Sequence, residues 1–175
     1  MLALRYQLTC LLFVIVAAGS DGQFVTASGE LGTFTVTVGV ELTCPSCASG
    51  LERRLGRLEH VDAVEIQVAE EQVVLGATSG TKIDLREVRD VIRNAGFEPS
   101  SLHVTVGGLV VRLDGGIGIT LSEDTVVMIT AVDAERSALL SRAVGRMVAV
   151  RGTVSIEAGD EDILHLSQVE IQKQR

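Results

Sequence analysis

The sequence predicts an α+β fold in two parts, a βαββαβ unit over residues 33–107 followed by a smaller, mainly β unit over residues 108–175. Three observations predict it. Most apolar residues fall in short runs that alternate with polar ones, the period of a half-buried strand. Two stretches instead carry apolar residues at helical spacing behind helix-start signals. Cys44 and Cys47 stand where the first strand pattern gives way to the first helix pattern.

Residues 1–20 precede both units. Arg5 lies in a short polar head, an apolar run covers residues 8–18, and the small residues Ala17, Ala18, Gly19 and Ser20 follow, the pattern of a secretory signal peptide. The run is shorter than the roughly 20 apolar residues of a spanning helix. A cleaved signal implies an exported protein, periplasmic or extracellular, with no membrane insertion; an uncleaved one implies a membrane anchor. Cys10 falls inside the run and reads as an apolar filler. Residues 21–32 read as an N-terminal linker.

In the first unit, Phe34, Val36, Val38, Val40 and Leu42 alternate with Thr35, Thr37, Gly39 and Glu41 as a strand. Pro45 then suits the first position of a helix, where its missing N–H costs nothing. That puts Cys44 at the cap and Cys47 in the first turn, where unpaired N–H groups and the helix dipole favour the thiolate. Two thiolates with no other ligand nearby in sequence suit a soft, low-coordinate ion such as Cu(I), whereas structural zinc takes four ligands. Leu51, Leu55 and Leu58 form the helix's apolar face, opposite Arg53, Arg54 and Arg57.

Val64, Ile66 and Val68 read as a second strand, Glu70 and Glu71 as a hairpin turn, and residues 73–77 as a third strand. A helix over residues 85–95 opens with Asp84 and Glu87 at capping-box spacing, buries Leu85, Val88, Val91, Ile92 and Ala95, and stops at Gly96. Leu102, Val104 and Val106 give the fourth strand. This is the ferredoxin-like split βαβ order. It brings the cysteine loop, the Glu70–Glu71 hairpin and the loop at residues 96–99 to one end, leaves His60 at the other, and puts His103 on the open sheet face.

At these residues the chain resembles the heavy-metal-associated domain of copper chaperones, copper-transporting ATPases and the periplasmic mercuric-ion carrier. The likeness rests on Leu42-Thr43-Cys44-Pro45-Ser46-Cys47, Leu58-Glu59-His60-Val61 and Asn94-Ala95-Gly96-Phe97-Glu98-Pro99. The resemblance implies that Cys44 and Cys47 are the metal ligands, that Phe97 shields the loop, and that a metal-donor or metal-acceptor protein is the partner. Where the family has Gly-Met before Thr-Cys, this chain has Glu41-Leu42, and leucine can fill the volume of the methionine. Where the family has a glycine before the valine that follows the first helix, it has His60. The absence of an acidic residue immediately before Cys44 leans by resemblance toward copper, with Zn(II) left open by the nearby Glu41 and Hg(II) by the family. The Phe97 loop has no basic residue of its own.

In the second unit, residues 110–113 and 117–121 flank Asp114-Gly115-Gly116, a hairpin signal. Residues 125–132 read as a strand, 133–144 as a helix, and 147–156 and 163–171 as two strands joined by an acidic loop. Three strands, a helix and two strands is the order of a small OB-like barrel. Gly107-Gly108 is too short for a free linker, so the units are expected to touch. His165, Met128 and Met147 read as strand and core residues, and Glu157, Asp160, Glu161 and Asp162 lack calcium-loop spacing.

A net charge of −8 and 3% aromatic residues exclude the basic, base-stacking surfaces of nucleic-acid binding. No Ser-His-Asp set, nucleophile elbow or phosphate loop is present, so an enzyme is not expected. The reading is an exported soft-metal binder for metal trafficking, homeostasis or detoxification. Two alternatives stay open. One is a thiol-disulfide oxidoreductase using Cys44 and Cys47, which export would permit although thioredoxin-like folds place C-x-x-C differently; the other is a non-catalytic interaction module.

Overall fold

The computed structural model describes residues 32–42, 45–131, 133–154 and 163–170. The expected signal peptide and almost all of the linker, Cys44, and the acidic loop of residues 157–162 lie outside them. The elements run β1 (Thr33–Val40), α1 (Pro45–Leu55), β2 (Val61–Gln67), β3 (Gln72–Ala77), α2 (Leu85–Asn94), β4 (Pro99–Leu113), β5 (Gly116–Thr120), β6 (Val126–Ala131), α3 (Ala134–Ala143), β7 (Met147–Thr153) and β8 (Ile163–Glu170). No helix among the described residues is long and apolar enough to cross a membrane.

The first part is the ferredoxin-like βαββαβ unit, with strand order β2-β3-β1-β4. Period-2 patterning decides its faces: Phe34, Val36, Val38 and Val40 are buried, as are Leu102, Val104 and Val106 across the β1–β4 ladder. They share a core with Leu51 and Leu55 of α1 and Leu85, Val88 and Ile92 of α2. Thr35, Thr37, Thr105 and His103 alternate to the other, half-exposed face. Asp84 caps α2 by accepting from the N–H groups of Arg86 at 2.8 Å and Glu87 at 3.3 Å. Gly96 follows the helix at φ 89°, a conformation that favours glycine.

The fourth strand of the first unit and the first strand of the second, expected as separate elements, are one 15-residue strand. Gly107-Gly108 lies inside it. One edge of β4 pairs with β1 from Thr33↔Gly107 to Val40↔Pro99, and its further part pairs with β5 from Leu109↔Thr120 to Leu113↔Gly116. β7 also pairs with β4, from His103↔Thr153 to Leu109↔Met147. The two glycines fit because neighbouring chains crowd them. A Cβ on Gly107 would lie 2.6 Å from Thr33 Oγ1, and one on Gly108 would meet Ile119 Cγ2 at 2.6 Å and the carbonyl of Thr120. At Gly108 the backbone carbonyl leaves no room for a side chain, whereas at Gly107 the exposed Thr33 hydroxyl would have to turn aside.

Beyond β4, β5 pairs with β6, β6 runs parallel to β8, and β8 pairs antiparallel with β7. Val110, Ile119, Leu121, Val127, Ile129, Leu140, Val148 and Val150 are buried here and join the same core as the first unit. The core therefore does not break at the glycine pair.

Candidate metal-binding loop

The site is set by how β1 ends. At its last residue, Val40, the ladder to β4 shifts register, and Val40 faces Pro99 while its N–H donates to the carbonyl of Glu71 at 2.8 Å. That brings the end of β1, the β2–β3 hairpin and the α2–β4 loop to one end of the sheet, as the strand order requires. Leu42 follows, 5% exposed, and anchors the chain in the core just before the cysteine segment.

α1 starts at Pro45, so Cys47 occupies its first turn, and Cys47 is exposed. Ala48, Leu51 and Leu55 are buried at helical spacing, which fixes the rotation of α1 and turns Ser46 and Cys47 outward. No acidic residue stands in the first turn of α1 to offset the dipole's positive end beside Cys47, while Arg53 and Arg54 in its last turn complement the negative end. Cys44, the other expected ligand, is outside the described residues.

Phe97 is half-buried against the core, its N–H donating to the carbonyl of Ile92 at 3.2 Å. A basic group does reach its loop, though not from within it. Arg93 of α2 brings Nη2 within 2.9 Å of Glu98 Oε1. The sequence signal was an arginine in the last turn of a helix whose terminal glycine folds the chain back, a five-residue separation that helical spacing alone does not flag.

The histidines lie elsewhere. His60 is at the opposite end, in the α1–β2 turn, where its carbonyl accepts from Thr78 N–H at 2.8 Å and its ring lies 3.6 Å from Glu59 Oε1. His103 is on the open face between Thr37 and Thr153. His165 is a residue of β8. Among the described residues no three His, Cys, Asp or Glu side chains gather as a metal cluster.

An exposed cysteine in the first turn of the first helix, at the end of a ferredoxin-like sheet where three connections meet, is the geometry of a surface thiol site. Comparison with protein families agrees on the segment: residues 37–98 match the heavy-metal-associated domain, and the match stops short of the second unit. Among solved structures, the chain is similar to a Bacillus anthracis protein described as copper-ion-binding (27% identity, 38% of this chain and 93% of that one, TM-score 0.34). It is also similar to the copper(I)-loaded first domain of the human copper chaperone for SOD1 (22%, 38% and 89%, TM-score 0.34). A third is the apo heavy-metal-associated domain of a copper chaperone for superoxide dismutase (26%, 41% and 70%, TM-score 0.33). Comparison with curated proteins finds no match.

Proposed function

We propose that the protein is an exported, non-enzymatic carrier that binds a soft metal ion through Cys44 and Cys47 and passes it to a thiol-bearing partner. Cu(I) is the first choice of cargo, because two sulfur donors suit a soft, low-coordinate ion; Zn(II) and Hg(II) are the alternatives. The observation that carries the reading is the exposed Cys47 in the first turn of α1, within the stretch that matches the heavy-metal-associated domain. Exposure suits transfer, since an incoming thiolate can reach the ion before the outgoing one lets go. Pro45 sets the start of the helix, Ala48 and Leu51 hold its rotation, and the Val40–Glu71 bond holds the strand that leads into the loop.

Residues 33–107 and 108–175 are read as the metal domain and an OB-like barrel built on a shared strand. The barrel reading is supported by the circuit of pairings β4-β5-β6-β8-β7, with β7 also paired to β4. The oxidoreductase alternative gains nothing from the element order, in which the cysteine segment lies between β1 and α1, inside the first βαβ crossover, instead of following one.

X-ray absorption on the reduced chain from Asp21, loaded with one equivalent of Cu(I), tests the ligand set. Two sulfur scatterers are expected. A first shell of nitrogen or oxygen would rule out the cysteine pair as the site.

A further inference from the structure

We draw no further inference here: the strongest candidate, the cleft of about 670 Å³ between the loop that leads into α2 and the β5–β6 turn, has an apolar floor of Phe34, Val104 and Val127 and a rim of both charge signs that includes Lys82 and Asp124, and nothing in the structure shows what would fill it, since no polar side chain among the described residues is buried to select a ligand.

Discussion

Val40 and Glu71 are joined by a backbone hydrogen bond of 2.8 Å that ties the strand entering the cysteine segment to the tip of the β2–β3 hairpin. Glu71 itself takes φ 51°, and His60, in the turn at the other end of β2, takes φ 64°. Both are left-handed conformations that cost a residue with a Cβ on the order of 1 kcal/mol.

Replacing either residue by glycine relieves that strain, partly offset by the freer unfolded chain. His60→Gly and Glu71→Gly are each expected to raise stability by roughly 0.5 kcal/mol. Urea unfolding measures the gain, and a loss in both variants would mean that the turns are held by side-chain contacts instead. His60 stands where the resembling family has glycine, so the departure noted in the sequence falls on a backbone constraint.

The shared strand predicts that the two parts unfold together. Val106 is fully buried, facing Phe34 in β1 on one side and Val150 in β7 on the other. Calorimetry is expected to give one transition, and Gly108→Ala, which drives a methyl group into Ile119 and the Thr120 carbonyl, is expected to lower it whole by about 3 kcal/mol. Two separate transitions, with the first unit unaffected by the substitution, would contradict a common core.

Leu42 gives a test that separates packing from ligation. It is 5% exposed and close in chain to the cysteines. Leu42→Met conserves volume and should cost less than about 1.5 kcal/mol with Cu(I) affinity unchanged. Leu42→Ala should cost about 3 kcal/mol. A tenfold loss of affinity in the methionine variant would show that Leu42 does more than fill space.

Asp133 supplies a pH dependence. Its carboxylate accepts from Arg136 N–H at 2.8 Å at the start of α3, and that bond, assisted by the Arg136 guanidinium, holds its pKa below the ordinary carboxylate value. The charged form is thus the one folding favours. Its contribution is complete above a pH of about 4, the unfolded value, and disappears as pH falls through the lower folded value. The stability gap between the wild type and Asp133→Ala, followed by urea unfolding, is expected to be level at neutral pH and to close below pH 4; a gap that widened on acidification would reverse the assignment.

Much of this was legible in the residues. Alternation at Phe34, Val36, Val38 and Val40 and the Asp84 cap gave the strand and helix that frame the loop, because in both cases one local physical rule decides the conformation. The merged β4 was not legible. Gly107-Gly108 carries the composition of a turn, but here Gly108 admits the close approach of Ile119 and the Thr120 carbonyl, which only the tertiary pairing reveals. Val68, read as a strand residue, lies just past β2 and is 42% exposed, since the chain turns into the hairpin before it can pair. The Arg93–Glu98 pair escaped for a similar reason: Gly96 reverses the chain between them.

Metal binding by the cysteine pair is tested most directly by a competition titration of the reduced chain from Asp21 with Cu(I) against a chelator, beside Cys44→Ser and Cys47→Ser. Tight one-to-one binding that each single substitution abolishes is expected. Binding of equal strength in either variant, or none in the fully reduced protein, would contradict ligation by the pair.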